Sequence, residues 1–298
     1  MRLGTLTALI GALVTGACVG DSSSTDGGTD ATTDTSSTDS SKPSDAAAET
    51  TTDAGSDAGF DVKSLAGLAL WLNASVGVAT DSNGVTKWSD QSGNANDATP
   101  NGMEPTVIAS GIHALPSIHF EGGSHLDIAD STTLQIGTSD FSLSIVMRHT
   151  TDTQDAGNYG LVFAKQDPLT TGFPGIATFV DLPANTTSFF GQIVLNSFVN
   201  TATTGLNNNA PHVFGFRRVG AQISTRLDGA VDGTETSDAA AVDLSALTTP
   251  ARIGAGGDGN TTYQQLKGDV AELVLVKGTT SDPTLIALEQ YLKSKYGL

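Results

Sequence analysis

Cysteine is nearly absent from this 298-residue chain: Cys18 is the only one. No intramolecular disulfide can brace the fold, whatever compartment it occupies. Basic residues are also scarce, with 14 Lys and Arg against 32 Asp and Glu, a formal net charge of −18. That balance excludes nucleic acid as a partner, because phosphates require compensating Lys and Arg. It equally excludes docking on an anionic membrane through a basic patch. Aromatic residues make up only 6% of the chain, so few ring faces are left for ligands once a core is filled. The apolar stretch from Leu3 to Val14 falls short of the roughly 20 residues needed to span a bilayer core.

What is present at the N-terminus is a sorting pattern. MRLGTLTALIGALVTGAC has one basic residue, Arg2, then the apolar stretch, then small Thr15, Gly16 and Ala17. Residues 1–17 therefore read as a secretion signal with a small-residue cleavage site. Its junction with Cys18 resembles a bacterial lipobox, although Thr15 replaces the usual aliphatic residue three places before the cysteine. The resemblance implies acylation of Cys18 and export to a bacterial outer membrane or cell surface, with the lipid as the only membrane contact. An ordinary signal peptide with an incidental cysteine is the alternative. Residues 18–61 then form a Ser/Thr/Asp-rich linker. Its 19–61 part holds ten acids and one base and has almost no apolar side chains to offset the entropy of ordering it. A disordered spacer is expected there.

From about Leu65 the texture changes to short apolar-alternating runs separated by Gly, Asn, Asp and Pro, the pattern of an all-β domain. In 68–73, Leu68, Leu70 and Leu72 are expected on one face. In 141–149, Phe141, Leu143, Ile145 and Met147 share a face. Further strands are expected at 159–165, 175–180, 189–195, 212–219 and 222–229. Gly220 and the Asp228-Gly229 pair mark hairpin turns, the latter suited to positive φ. DVAELVLVK (269–277) is apolar almost throughout, which predicts burial on both faces. Only the C-terminus reads as a helix, with Ser281 or Asp282 as N-cap and Pro283 in the first turn. Leu285, Leu288 and Leu292, with Ile286 beside them, make its apolar stripe, and Gly297 suits its C′ position. A domain over 62–298 is long enough to bury about 70% of its unfolded surface.

The residues also carry a family resemblance. LALWLNASVGVATDSNGVTKWSDQSGNANDAT resembles the opening of bacterial laminin-G-like domains, of the concanavalin A-like lectin/glucanase superfamily. Trp88, Asp90, Ser92, Gly93, Asp97 and Ala98 match its Trp-x-Asp-x-Ser-Gly-x-x-x-Asp-Ala pattern. LPSIHFEGGSHLDI (115–128), with Glu121 in place of the usual Asp, then FSLSIVM (141–147), HVFGFRRVGAQISTRLDG, RIGAGG…LKGDVAELVLVKG and LEQYLKSKYGL follow in matching order. The resemblance implies a jelly-roll sandwich of two antiparallel sheets with a short C-terminal helix. Many short strands and 34 glycines agree with it.

Enzymes of that superfamily place acid and nucleophile on one strand as Glu-x-Asp-x-x-Glu, and no Glu-x-Asp run occurs here. Asp269 and Glu272, three apart, fall on opposite faces of a regular strand, so Glu272 is expected to accept hydrogen bonds from loop backbone. His119, Glu121 and His125 make a conceivable metal trio, but their spacing matches no zinc pattern. In the loop WSDQSGNANDAT, the sixth position from Asp90 is Ala95 and the twelfth is Asn101, so it is not an EF-hand. Asp90, Asn94, Asn96 and Asp97 still offer oxygens for calcium in another geometry. The competing reading is that the carboxylates close the loop by accepting backbone N–H bonds. Asp258 and Asn260, in GAGGDGNTTY, carry the same ambiguity.

Sugar binding needs an aromatic face beside polar groups. Trp88, Tyr159 and Tyr263 lie near turns and are the ring candidates, with Asp258 and Asn260 beside them; Trp88 could equally cap the core. The expected function is a lipid-anchored surface protein whose laminin-G-like domain binds a glycan or protein ligand without catalysis. A glycan-cleaving enzyme of the same superfamily and a passive envelope protein are the alternatives.

Overall fold

The computed structural model describes residues 59–149, 159–167, 170, 172–181, 188–194, 197–236, 243–245, 247–257 and 262–298. The signal segment, Cys18 and most of the linker lie outside the described residues, as do Asp258 and Asn260. Ser56–Leu298 forms a compact unit.

In chain order the strands begin with β1 (Leu68–Asn73), β2 (Val78–Thr80), β3 (Val85–Trp88), β4 (Ala98–Pro100), β5 (Thr106–Ile112) and β6 (Leu115–Glu121). Next come β7 (Leu126–Ile128), β8 (Phe141–His149), β9 (Tyr159–Gln166), β10 (Gly175–Asp181), β11 (Phe189–Val194) and β12 (Ser197–Asn200). The last are β13 (Pro211–Val219), β14 (Gln222–Leu227), β15 (Ala230–Thr236), β16 (Ala251–Ile253), β17 (Gly256–Gly257), β18 (Thr262–Tyr263) and β19 (Lys267–Lys277). Helix α1 (Asp282–Tyr296) closes the chain.

Two large antiparallel sheets and a two-stranded ribbon, β17-β18, result. The eight-stranded sheet runs β15-β14-β13-β8-β19-β6-β5, with β1 also paired to β19. The nine-stranded sheet runs β12-β11-β10-β9-β16-β7-β4-β3-β2. Their facing sides enclose one apolar core, so the fold is the expected jelly-roll-like sandwich.

Alternation places the side chains. Phe141, Leu143, Ile145 and Met147 of β8 all point into this core. Ser142 and Ser144, one residue out of phase, lie buried with them off the core face. A second apolar cluster forms on the opposite side of the eight-stranded sheet, where Leu285, Leu288, Leu292 and Tyr296 of α1 pack on Val146, Val213, Ala271, Val274 and Val276. β19 is therefore covered on both faces, as its apolar run implies. The Asp228-Gly229 turn has φ of 49° and 95°, joining β14 to β15 in the expected hairpin.

Helix α1 is capped as its sequence suggests. Ser281 is the N-cap, Pro283 lies in the first turn, and Gly297 takes a left-handed conformation whose N–H reaches the last carbonyls. Two details differ from expectation. Ile286 is exposed at the margin of the stripe rather than part of the packed face. Leu68 does not share a face with Leu70 and Leu72: a register shift between Leu68 and Leu70 inserts one residue. Leu68 therefore packs on the helix side while Ala69, Leu70 and Leu72 enter the core.

Candidate functional site

The loop between β3 and β4 is tied by its own acids. Asp90 accepts four hydrogen bonds: Oδ1 from the backbone N–H groups of Trp71 and Ser92, Oδ2 from the Ser92 hydroxyl and the Asn96 N–H. Asp97 Oδ1 accepts from the Asp90 N–H at 2.9 Å, and Oδ2 pairs with Lys87 at 3.3 Å. Asn96 donates to the Ala69 carbonyl and the Thr133 hydroxyl and accepts from Ser131. Asn94 donates to the Leu68 and Ala69 carbonyls. Each oxygen of the two carboxylates thus already meets an N–H, O–H or ammonium donor that a calcium ion would have to displace. The arrangement is an Asx-type closure that clamps the loop onto β1.

Trp88 is corrected as a ligand-facing ring. It ends β3 inside the sandwich core at 0% exposure; Val85, three positions earlier, enters the same core because the β2–β3 register shifts between them. Tyr263 lies in β18, paired with Gly256. Glu272 is also placed differently from expectation. Fully buried, it accepts from side chains rather than loop backbone: Trp71 Nε1 at 2.7 Å, Tyr296 Oη at 3.0 Å and Lys295 Nζ at 2.5 Å. It fastens β1, β19 and α1 together.

The conceivable metal trio is not assembled. His119 Nδ1 and Nε2 sit 2.7 Å from Asp269 Oδ1 and Glu121 Oε1, while Arg148 holds the other Asp269 oxygen. Burial works against the charged ring of His119, yet its bonds to Glu121 and Asp269 hold its pKa above the ordinary value. His125 instead lies immediately before β7, 3.8 Å from Asp127. Among the described residues, no group of three His, Cys, Asp or Glu could hold a metal ion.

A different set of residues converges on the nine-stranded sheet, on the side away from the core. The strand registers align one cross-sheet row: Thr99 with Asp127, Asp127 with Arg252, Arg252 with Ala164, Ala164 with Ala177, Ala177 with Gln192, and Gln192 with Phe198. At one end Arg252 grips Asp127 side-on, Nε to Oδ1 at 2.6 Å and Nη2 to Oδ2 at 3.1 Å. The exposed Asn101 amide donates to Asp127 Oδ2 at 2.8 Å. The Arg252 side chain is 5% exposed and that of Asp127 16%, so Arg252 lies behind and Asp127 is the more accessible partner. Arg252 Nη1 is buried with no hydrogen-bond partner. Burial lowers the pKa of His125; Asp127 opposes that, Arg252 adds to it, and the Gly123 backbone opposes it. The ring is therefore neutral at pH 7.

At the other end stand rings. Phe179 and Phe190 stack at 4.6 Å, and Tyr159 meets both edge-on. Phe190 in turn supports Phe198, which is 50% exposed. Asp127 and Phe198 are five strands apart, about 24 Å at ~4.8 Å per strand. Chemically this face offers a pre-oriented carboxylate and amide, suited to hydroxyl groups, and a supported ring suited to apolar C–H surface. Of the ring candidates from the sequence, Tyr159 is half-buried within this cluster. Phe198, Asp127, Asn101 and Arg252 escaped the sequence reading. The available signal was a Phe at the outward position of S-F-V-N, where alternation calls for a polar residue.

No family model matches the chain, and no curated protein sequence does. Solved structures share its fold at low identity. The binding domain of Paraclostridial Mosquitocidal Protein 1 superposes with a TM-score of 0.55 at 10% identity, over 77% of this chain and 52% of that one. The binding domain of Botulinum Neurotoxin DC in complex with SialylT gives 0.51 at 9%, over 78% and 52%. Trypanosoma rangeli sialidase in complex with sialic acid gives 0.52 at 14%, over 77% and 33%. This chain thus spans about half of the two binding domains and a third of the sialidase, and at such identities what it shares with them is a β-sandwich fold.

Proposed function

We propose that this is an exported, lipid-anchored protein whose laminin-G-like sandwich binds a carbohydrate, without cleaving it, on the outer face of the nine-stranded sheet. The observation that carries this reading is the Asp127–Arg252–Asn101 group, aligned by strand register with the supported ring of Phe198. Apolar residues often serve folding as well as a buried ion pair does, and this pair holds Asp127 in one orientation with its carboxylate the more exposed member. Neighbours of the same fold include a toxin binding domain in complex with SialylT and a sialidase in complex with sialic acid, and this supports a sugar as the ligand class. Lipidation rests on the Cys18 junction, and the laminin-G-like assignment on the Trp88–Ala98 signature.

A glycan array probed with the purified protein, in calcium and in chelator, tests the reading. Binding that survives chelator and is lost in Asp127→Asn and Phe198→Ala supports it. Turnover of a bound glycan would replace it with the hydrolase reading. Silence across the array would favour a protein ligand or a passive envelope role. Palmitate labelling of the wild type against Cys18→Ser tests the anchor separately, and equal labelling would reject it.

A further inference from the structure

The charge of the sugar can be read from the same face. This step rests on the carbohydrate reading and narrows it. Among the described residues, the two cations along the polar end each face an acid of their own. Arg252 is held by both oxygens of Asp127, and Lys87, on the neighbouring β3, pairs with Asp97 at 3.3 Å. His125 adds no charge, since burial keeps its ring neutral at pH 7. Within the Arg252–Asp127 pair the guanidinium is the covered member and the carboxylate the more exposed one. A ligand arriving at Asn101 and Thr99 therefore meets an acceptor edge and an amide, not a cation. The rest of the row, Ala164, Ala177, Gln192 and Phe198, has no charged residue, and the whole chain carries −18.

We infer that the site takes a neutral oligosaccharide, whose hydroxyls donate to Asp127 and accept from Asn101, and discriminates against sugars bearing a carboxylate. An acidic sugar would set its anion beside Asp127, while among the described residues of this face Arg252 is buried and Lys87 already faces Asp97, an arrangement that disfavours binding. The inference runs opposite to a simple transfer from the neighbours of this fold in complex with SialylT and sialic acid.

Matched pairs of glycans test this by isothermal titration of the full protein: a galactose-terminated chain against its sialylated form, and a hexose against a hexuronic acid terminus. The neutral member is expected to bind at least about tenfold more tightly, the lower end of what like-charge juxtaposition costs. In Asp127→Asn the Arg252 charge is uncovered, so the preference is expected to shrink or invert. Because that change leaves a buried guanidinium underpaired, Asn101→Ala at an exposed position is the second variant, expected to weaken the neutral sugar. Equal or tighter binding of the acidic members by the wild type overturns the inference and leaves the carbohydrate reading standing. Neutral binding untouched in both variants also overturns it. No binding by either class overturns both.

Discussion

Replacing Glu289 with alanine is expected to loosen α1 from the sheet. Glu289 is polar on an otherwise apolar helix face, and it meets Arg226 of β14 by two bonds of 2.7 Å, Nε to Oε1 and Nη2 to Oε2. The side chains are 1% and 7% exposed, so neither can return to water when the other is removed. Gly215 makes the contact feasible, because a Cβ there would lie 3.3 Å from Glu289 Oε1 and 3.0 Å from Arg226 Cβ. After truncation Arg226 keeps only the Gly229 carbonyl as acceptor. Breaking a buried pair from one side costs about 3–5 kcal/mol. At roughly 2–4 °C per kcal/mol for a domain of 150–250 residues, Tm should fall by about 6–20 °C. The double variant Arg226→Met/Glu289→Leu should recover most of this, since apolar replacement of both partners is near neutral. Urea and thermal unfolding of the wild type, Glu289→Ala and the double variant provide the measurement. A Glu289→Ala loss under about 1 kcal/mol, or a double variant as unstable as the single one, would refute the assignment.

Two histidines should give opposite pH trends. His149 is buried and its pKa is pushed down to about 4, so the fold holds it neutral. Its contribution is complete above the unfolded value near 6.5 and is lost as pH falls from there towards 4, about 3 kcal/mol in all. His149→Leu should flatten that acid limb in urea titrations, and an unchanged limb would contradict the burial argument. His119, raised by Glu121 and Asp269, contributes stability at low pH that disappears as pH rises through its folded pKa. Glu121→Gln should lower that pKa in an NMR titration, and no movement would mean Glu121 does not bond the ring in solution. Asp90→Ala should cost about 1–3 kcal/mol by leaving loop donors unpaired, while added calcium leaves the wild-type Tm where it was. A calcium-dependent rise in Tm would restore the metal reading of that loop.

The parts of this fold that were legible in the sequence are those whose cause is local. Alternation in 141–149 fixes which side of β8 meets the core, and Asp228-Gly229 fixes a turn that requires positive φ. Ser281, Pro283 and Gly297 bound the helix through backbone groups within a few residues. The bulge at Leu68 was invisible because it depends on the partner strand β19, some two hundred positions away. The candidate site was missed for the same reason. Asp127 and Arg252 are 125 residues apart in sequence and meet through the β7–β16 register, which no local pattern specifies. Trp88 misled because its place beside a turn suggested exposure, whereas the irregular pairing of β3 with β2 turns both it and Val85 into the core. The signature loop admits two readings from sequence, and the hydrogen bonds on Asp90 favour closure of the loop.

The location of the ligand is the most direct test of the account. A neutral oligosaccharide bearing a photo-activated diazirine would be bound to the full protein, cross-linked and mapped by mass spectrometry. The expected labels fall on 99–103 and on peptides containing Asp127, Gln192 or Phe198. Labels confined to the loop at 89–97, or to the helix side of the eight-stranded sheet, would contradict it.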